Sequence, residues 1–390
     1  MHSVEEAKKI IAQNTHLLPS HHAPLLQAQH KYLAADLYSP IDVPTFDNSA
    51  MDGYALQIKD VKNHEGLPIS AEIAAGDTGI RHHLAGTATR IYTGAPVPIG
   101  ADTVIPQEMC RVENAQLFID KMVDVGANIR KKGSQTSKNS LVMRQGSEIT
   151  AGAIGFLATL GLSELSVYQT PRVSVITTGS ELVEIGKELK HGQIYNSNAL
   201  ALTALLNDIH ITPTHTLHST DNLELLQENI EKCLQNSDLV IISGGISVGD
   251  YDLVKPALEN LGVEQLLYKV KQRPGKPMYV GKRGSQLIFA LPGNPAAVFG
   301  CFHFYVKPTL MQMMGKKHTF AEFAILGNNF TKKQGLTFMM KGVKESMKVK
   351  ILEKQQSYQM DAFAEANVLV ILDEDRQEYL AGEEVRILEI

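Results

Sequence analysis

Small residues and carboxylates follow one apolar run of the chain in an order that suggests a binding site. The run LVIISGGISVGDYDLVK begins at Leu239, passes through Ser-Gly-Gly at 243–245 and continues to Asp250 and Asp252. Glycine lets backbone N–H groups approach an anion closely, so the first half of this loop suits a phosphate, whereas the two acids repel one. The Gly-Lys-Ser/Thr ending of a Walker-type phosphate loop is missing. Other segments must therefore complete the site.

Loops of similar chemistry follow other strands of the same region. Residues 171–316 alternate strand-like and helix-like patterns, which indicates a mostly parallel sheet wrapped by helices. Ligands of such open sheets bind beyond the carboxyl ends of the strands. The residues expected at that edge are Thr177, Thr178, Gly179, Ser180 and Glu181 after the first strand, Ser219, Thr220 and Asp221 after the second, Ser243, Gly244, Gly245 and Asp252 after the third, and Pro292, Gly293, Asn294 and Pro295 after the last.

Each of these loops also has a purely structural interpretation. Asp221, with Glu224 three residues later, is typical of a capping box that opens a helix. Thr-Gly-Ser and Pro-Gly-Asn-Pro are typical turns. Four unrelated turns would not all place small polar donors and carboxylates on one edge, so their coincidence favours a site.

The chemistry of the four loops predicts an oxyanion bound together with a hard cation. Carboxylates beside a phosphate are tolerable when Mg²⁺ lies between them. On this hypothesis the glycines cradle a phosphate-like group, and Glu181, Asp221 and Asp252 hold the metal.

The segment YKVKQRPGKP supplies positive charge to the same region. Lys269, Arg273 and Lys276 would offset the charge of an oxyanion, and the alternative is a solvated strand edge. The Pro-Gly-Lys-Pro sequence at 274–277 is an unusual way to build such an edge, which favours a role in the site.

The rest of the chain divides into further elements. Residues 3–13 form a predicted helix with Ser3 as N-cap, and residues 151–160 a second helix ending before Gly161. Short strand-like pieces between 41 and 120 predict a small β domain, in which VPTFDNSAMDGYAL is either a structural turn or a binding loop. A long helix is predicted over 295–314, followed by strands typical of a small β barrel or sandwich.

The composition indicates a soluble multidomain protein. A chain of 390 residues exceeds the usual size of one core, so roughly two to four domains are expected. With 37 basic and 42 acidic residues the net charge is −5, which predicts neither a nucleic-acid surface nor a polyanion partner. The three cysteines form no Cys-x-x-Cys pair, so a disulfide framework or zinc site is not expected. No membrane span or signal peptide is predicted, and we expect a cytoplasmic location.

Several motifs together resemble those of the molybdopterin molybdenumtransferase family, which includes the E domain of gephyrin. The match covers the chain from about Pro44 to the end of the α/β domain, and both flanks are compatible. The motifs are, in order, PTFDNSAMDGYA, RIYTGAPVPIGAD, GANIRKKG, VITTGSEL, GQIYNSN, SGGISVGDYD, RPGKP and LPGNPAA.

The resemblance implies a reaction, a fold and partners. The reaction is the last step of molybdenum cofactor synthesis, in which molybdate is inserted into adenylylated molybdopterin and AMP is released with Mg²⁺. The implied assembly is an elongated homodimer, with each site shared between the α/β domain of one subunit and the small β domain of the other. A molybdopterin adenylyltransferase is the implied upstream partner. The predicted domains are 1–43 with 137–170 (linker and dimerisation), 44–136 (small β), 171–316 (doubly wound α/β) and 317–390 (C-terminal β).

The resemblance also assigns roles to individual positions. Glu181, Asp221 and Asp252 would handle the metal and the pterin–adenylate linkage, and Lys269 and Arg273 would offset phosphate or molybdate charge. The positions that match the family's functional residues are Asp52, Thr93, Glu181, Asp221, Asp252, Lys269, Arg273, Pro292 and Pro295. The predicted substrate-binding residues are Thr178, Gly179, Ser180, Ser243, Gly244, Gly245, Gly249, Lys276, Pro292, Gly293, Asn294 and Pro295.

One position departs from the family pattern. The family usually has Gly-Glu-Asp-Ile where this chain reads Gly-Ser-Gln-Thr at 133–136, so Gln135 replaces an expected acid. An amide can form hydrogen bonds but carries no charge to neutralise a cation. We therefore predict no catalytic role for Gln135.

Two other functions remain open on the sequence. A molybdopterin adenylyltransferase resembles the α/β part alone, and the additional domains argue against it. A non-catalytic scaffold is the second alternative, because the gephyrin E domain also anchors receptors. The full set of polar loop residues favours an enzyme over a non-catalytic scaffold protein.

Overall fold

The computed structural model describes residues 1–62, 65–246, 252–316 and 322–390, so the predicted substrate-binding residue Gly249 lies outside the described residues. No helix in these ranges is both long and apolar enough to cross a membrane. The helices are α1 Val4–Asn14, α2 Ala151–Thr159, α3 Ser197–Asn207, α4 Leu223–Asn236, α5 Val254–Asn260, α6 Pro295–Cys301, a π-helical segment Phe302–Val306, and α7 Lys307–Met313. Short 3₁₀ turns span Leu25–Ala28, Ile58–Asp60, Gln107–Met109 and Met360–Phe363.

The strands are short and group into several sheets. Those in the first half are β1 Ser20–Pro24, β2 Leu37–Tyr38, β3 Asn48–Ser49, β4 Gly53–Leu56, β5 Leu67–Ile73, β6 Ala88–Ile91, β7 Thr103–Pro106, β8 Cys110–Glu113, β9 Gln116–Ile119, β10 Ile129–Arg130, β11 Leu141–Met143, β12 Glu164–Tyr168, β13 Val173–Thr178, β14 Leu182–Val183 and β15 Ile194–Tyr195. Those in the second half are β16 His215–Ser219, β17 Leu239–Ser243, β18 Glu264–Tyr268, β19 Gln272–Arg273, β20 Tyr279–Arg283, β21 Gln286–Leu291, β22 Glu322–Leu326, β23 Phe330–Thr331, β24 Thr337–Glu345, β25 Lys348–Ile351, β26 Val368–Leu372, β27 Glu378–Tyr379 and β28 Glu384–Glu389.

The central domain is built on a six-stranded sheet in the order β16-β13-β17-β21-β20-β18. The first four strands run parallel, β20 pairs antiparallel with β21, and β18 pairs antiparallel with β20 at the edge of the sheet. Every residue of β13 and β17 is buried, as expected for parallel strands covered on both faces. Helices α3 and α6 pack on one face and α4 and α5 on the other. The predicted doubly wound, mostly parallel sheet is confirmed.

Helix α1 also packs against the central domain. Val4, Ala7 and Ile11 join the same core as the α3 and α6 side chains. Ser3 begins the helix with a capping box: its hydroxyl accepts from the Glu6 N–H, and the Glu6 carboxylate accepts from the Ser3 N–H. The predicted helix and cap are therefore present. The helix lies on the central domain because its apolar face packs against that core.

The predicted long helix over 295–314 is divided. An α-helical stretch gives way to the π-helical segment at 302–306 and then to α7. Five consecutive residues of that segment are buried, so it is held within the core rather than bent into solvent.

Two distant segments form the extended N-terminal domain. Strand β1 pairs with β12 and β2 with β11, which joins residues before 43 to residues after 137. Leu33, Ile149 and Val167 lie in its small core. Helix α2 buries Leu157 there, whereas Ile154 and Phe156 are only half-buried and Ala158 is exposed. Ile154 and Phe156 pack against this core but keep part of their apolar surface exposed.

The other two domains are all β. The small β domain has the sheet order β7-β4-β6-β5-β9-β8. The C-terminal domain closes on itself, because β24 pairs with β25 and also with β26 around the ring β24-β25-β22-β28-β26. This is the predicted barrel, with five strands. The two-residue strand β19 pairs with β24 and so joins the central domain to the barrel.

The capping box at the start of α1 gives a first test. Ser3→Ala removes the acceptor for the Glu6 N–H, which should lower the local stability of α1 by about 0.5–2 kcal/mol. Native-state hydrogen exchange at Ala7 and Ile11 measures this change. Ser3→Thr keeps a hydroxyl and should restore most of the protection, and equal protection in Ser3→Ala would show that tertiary packing alone holds the helix.

Candidate active site

A large cavity of about 1210 Å³ lies where the strand-end loops of the central sheet face the C-terminal barrel. The loops after β13, β16, β17 and β21 all reach it, so the predicted convergence of four loops on one edge is present. The predicted site residues that line it are Thr178, Gly179, Glu181, Asp221, Ser243, Gly244, Gly245, Asp252, Arg273, Lys276, Pro292, Gly293 and Asn294.

Glycine is required at three of these positions by backbone conformation and by space. Gly179, Gly244 and Gly245 have φ of 142°, 102° and 62°, values that other residues rarely adopt. A Cβ atom on Gly244 would lie 2.5 Å from the Thr178 carbonyl oxygen and 2.6 Å from its hydroxyl oxygen. The loop after β17 therefore lies directly on the end of β13. This close approach brings the backbone of two loops to the same wall of the cavity.

Two buried polar atoms in this wall have no hydrogen-bond partner within the described residues. They are the hydroxyl oxygen of Thr178 and the side-chain oxygen of Asn198. The amide nitrogen of Asn198 donates to the Ser243 hydroxyl at 3.0 Å and to the Gly293 carbonyl at 2.7 Å, so this side chain ties two of the loops together. Buried polar atoms are usually satisfied, so these two oxygens are acceptors for a ligand or an ordered water in the cavity.

Asn198 was not among the predicted site residues. The only signal in the sequence was its place in the motif GQIYNSN, which carried no assigned role. Its contacts join residues 45 and 95 positions away, so only the tertiary structure identifies the partners.

Asp221 connects two loops of the site and is not the predicted helix cap. Its carboxylate accepts from the Ser180 N–H at 3.0 Å, and its own N–H donates to the Ser180 hydroxyl at 3.1 Å. The cap of α4 is Asn222, whose side chain accepts from the Leu225 N–H. The capping box predicted from Asp221 and Glu224 is therefore wrong, because α4 begins at Leu223 and Asn222 occupies the cap position.

Glu181, Asp221 and Asp252 line the cavity, but they do not form a preassembled metal site. Within the described ranges, no group of three or more His, Cys, Asp or Glu side chains is placed to hold a metal ion. The three carboxylates therefore fit a cation only if other ligands complete its coordination. Mg²⁺ is commonly held in this way, by one or two carboxylates together with phosphate oxygens of a substrate and water.

Of the three predicted cations, two line the cavity. Arg273 and Lys276 belong to its wall. Lys269 is not among the lining residues, and its Nζ lies 4.8 Å from the centre of the Tyr268 ring. Ser180 and Pro295 also do not line the cavity; Ser180 bonds to Asp221, and Pro295 begins α6 behind its cap Asn294.

A buried glutamine fixes the turn that carries the two cations. The amide nitrogen of Gln272 donates to the Gly275 carbonyl at 2.9 Å, and its oxygen accepts from the Tyr305 hydroxyl. Gly275 has φ of 86°, and a Cβ there would lie 2.5 Å from the Cys301 sulfur. The turn is thus packed tightly onto α6, which holds Arg273 at the cavity.

The C-terminal barrel forms the opposite wall, which the sequence did not predict. Phe338, Met339 and Met340 of β24 line the cavity, together with Gln355 and Gln356 from the following loop. The Arg273 guanidinium lies 5.5 Å from the Phe338 ring centre. No motif in this part of the chain pointed to the site, because its contribution depends on how the barrel packs.

The small β domain holds a separate polar pair. The Asp52 carboxylate accepts from both the N–H and the hydroxyl of Thr93, each at 2.8 Å. These two hydrogen bonds, the backbone one first, lower the pKa of Asp52 below its usual value. Neither residue lines the cavity described above. Gly53 next to Asp52 is required because a Cβ there would lie 2.1 Å from the Ile105 carbonyl oxygen.

Comparison with known proteins covers the whole architecture. Family models match in order: "MoeA N-terminal region (domain I and II)" at residues 2–161, "Probable molybdopterin binding domain" at 174–312, and "MoeA C-terminal region (domain IV)" at 324–390. A molybdopterin molybdenumtransferase of Haemophilus influenzae is 33% identical over 374 residues, covering 93% of this chain and 92% of that protein. The chain belongs to the molybdopterin molybdenumtransferase family.

Other members of the molybdopterin molybdenumtransferase family extend over the full length. "Molybdopterin molybdenumtransferase 2" of Mycobacterium tuberculosis is 32% identical over 406 aligned positions and covers 100% of both chains. The crystal structure of a molybdopterin biosynthesis MoeA protein from Pyrococcus horikoshii OT3 superposes with a TM-score of 0.86 at 27% identity, again covering 100% of both chains. The four-part fold is therefore that of the family throughout.

Gly244 provides a test of the loop contact. Gly244→Ala would force a Cβ onto Thr178 and an unfavourable φ, which should cost about 1–3 kcal/mol of unfolding free energy. Urea denaturation followed by circular dichroism measures this. Gly155→Ala in α2, where a Cβ meets nothing within 4 Å, is the matched control and should be neutral or stabilising. Equal behaviour of the two variants would show that the loops do not meet as described.

The Asp52–Thr93 pair gives a pH test. Thr93→Val removes the hydroxyl donor, so the pKa of Asp52 should rise toward its ordinary value while the backbone donor remains. A carboxyl carbon NMR titration follows it, and Thr93→Ser should keep the pKa low. Because the pKa is lowered in the folded protein, the stabilisation is present above the ordinary carboxyl range and is lost as pH falls through the lowered pKa. An unchanged pKa in Thr93→Val would contradict the assignment.

Proposed function

We propose that this protein catalyses the final step of molybdenum cofactor synthesis, inserting molybdate into adenylylated molybdopterin with release of AMP. The observation that carries the proposal is one cavity in which tight glycine loops, carboxylates and two cations converge, on a fold of this family throughout. Glycine-rich backbone and cations suit the phosphates of a nucleotide and the molybdate oxyanion.

Different residues would bind different parts of the substrate. Gly245 would offer its backbone N–H to a phosphate group, whereas the N–H groups of Gly179 and Gly244 already donate to the Ser219 and Leu291 carbonyl oxygens and hold the loops at the cavity. Thr178 and Asn198 would accept from substrate donors through their unpaired oxygens. Arg273 and Lys276 would offset phosphate or molybdate charge, with Arg273 suited to bidentate contact. The prolines at 292 and 295 would shape the wall and its flank. The predicted catalytic role of Lys269 stays a prediction.

Magnesium fits the site as a partner of the bound substrate. Glu181, Asp221 and Asp252 line the same cavity, and one or two of them with substrate phosphate oxygens would complete its coordination. When bound, the ion would neutralise phosphate charge at the adenylate linkage. The protein's own carboxylates would otherwise repel that linkage.

We infer that the complete site is shared between two subunits of a homodimer. Asp52 and Thr93 form an ordered polar pair but do not line the cavity of their own chain. The partly exposed apolar side chains of α2 offer surface for the second copy. A cytoplasmic location and a molybdopterin adenylyltransferase as the source of substrate belong to the same proposal.

Reconstitution tests the reaction directly. Purified protein with adenylylated molybdopterin, molybdate and Mg²⁺ should release AMP, and release should depend on molybdate. ATP with molybdopterin should give no pyrophosphate. Pyrophosphate formation would favour an adenylyltransferase, and the absence of any turnover together with tight molybdopterin binding would favour a scaffold.

A mixing experiment tests the shared site. Asp52→Ala and Asp221→Ala should each abolish AMP release while leaving the dimer intact. In a C₂ dimer, random mixing of the two variants should restore roughly a quarter of wild-type activity, because half the dimers are mixed and each has one intact site. Mixed dimers, verified by size-tagged subunits, that remain inactive would place both residues in one chain's site.

A further inference from the structure

A second cavity, of about 480 Å³, lies between α1, the π-helical segment with α7, and the edge of the C-terminal barrel. It shares no lining residue with the cavity assigned to the reaction. Its size falls within the range of small-molecule sites. It therefore needs its own explanation.

Acidic side chains and one cation of this second cavity are already paired. Glu322 and Glu389 bind Lys344 at 3.4 and 3.0 Å. Arg386 binds Glu5 at 3.3 Å and also contacts Asp373. These two cations and four carboxylates carry a formal charge of 2 − 4 = −2, so the cavity suits an anion only because further cations exceed it.

Three lysines in the same wall have no such partner. Within the described residues, no carboxylate lies within ion-pair distance of Lys8, Lys307 or Lys316, and all three are half-buried. Lys8 instead lies 3.8 Å above the Phe304 ring and Lys316 lies 5.7 Å from the Tyr32 ring. Burial lowers the pKa of Lys8 and of Lys307, and the neighbouring Lys316 lowers that of Lys307 further. Partly buried, unpaired cations cost free energy that an anion would offset.

A buried histidine in the same wall is also unsatisfied. His303 is 5% exposed, and its Nδ1 has no hydrogen-bond partner among the described residues. Burial, with the adjacent Lys307, lowers its pKa to about 3, so the imidazole is neutral at physiological pH and can donate one hydrogen bond. His303 lies in the π-helical segment, a conformation that often occurs at functional sites.

The remaining lining is apolar. Ile11, Phe304 and Leu388 contribute to the wall. A simple inorganic ion would leave this surface uncovered, whereas an anion on an apolar body would contact both parts.

We propose that this second cavity binds a small organic anion, a phosphate or carboxylate on an apolar or aromatic body. Lys8, Lys307 and Lys316 contact the charged group, and His303 hydrogen-bonds to it. Ile11 and Phe304 contact the apolar part. The site is separate from the reaction and does not depend on the proposed function.

Binding of simple probes to the full-length protein tests this site. Calorimetric titration should show phenyl phosphate binding at least roughly tenfold more tightly than phenol, which has the same ring without the charge. Benzoate in a parallel titration distinguishes a carboxylate from a phosphate preference. The ¹⁵N signals of the His303 imidazole should shift on addition of phenyl phosphate. Phenyl phosphate that binds no better than phenol, or a His303 signal that stays still, would overturn the proposal.

Charge variants locate the site. The double variant Lys8→Gln/Lys307→Gln should lose roughly tenfold or more in phenyl phosphate affinity. Its far-UV circular dichroism spectrum should match that of the wild type, which shows that the double variant is folded. Lys9→Gln, an exposed neighbour on α1, is the matched control and should bind normally. Arg273→Gln, in the first cavity, should also bind normally. Retained affinity in the double variant, an equal loss in Lys9→Gln, or loss only in Arg273→Gln would each reject the site.

Discussion

The approach of the 243–245 loop to the end of β13 is the contact on which the site depends. Gly244 lies so close to Thr178 that no side chain fits between them, and both residues line the same cavity. Parallel strands end together at one sheet edge, so this contact also fixes where the loops carrying Glu181, Asp221 and Asn294 can lie. The chemistry of the cavity follows from that edge.

Polar side chains then fix the positions of the loops relative to one another. Asn198 joins the loops after β17 and β21, and Asp221 joins the loops after β13 and β16. Gln272 fixes the turn that presents Arg273, and β19 attaches this turn to the barrel. Because each tie bridges different elements, the loops of the cavity wall are held by the protein's own hydrogen bonds. A preorganised wall of this kind stabilises developing charge at low reorganisation cost.

The chain has two groups of cationic side chains, which lie in different surroundings. Arg273 and Lys276 line the large cavity together with Glu181, Asp221 and Asp252, so a ligand there meets both signs of charge. Lys8 and Lys307 lie half-buried without a carboxylate partner in the described chain, and burial lowers the pKa of both. The contrast arises from the elements that carry them: a loop at a sheet edge in one case, and helices packed on a core in the other.

The sequence by itself determined the alternating α/β domain, the capped first helix, a C-terminal β domain of barrel or sandwich type, and the strand-end loops of the site. These features depend on local patterns: hydrophobic period, cap residues and glycine at turns. Only the tertiary structure decided that Asp221 binds Ser180 and leaves the cap to Asn222, because both aspartate and asparagine suit a cap locally. It also decided the roles of Asn198 and of the barrel wall, and the separation of Asp52 from its own chain's cavity. Such relations join residues far apart in the chain, and no local preference encodes them.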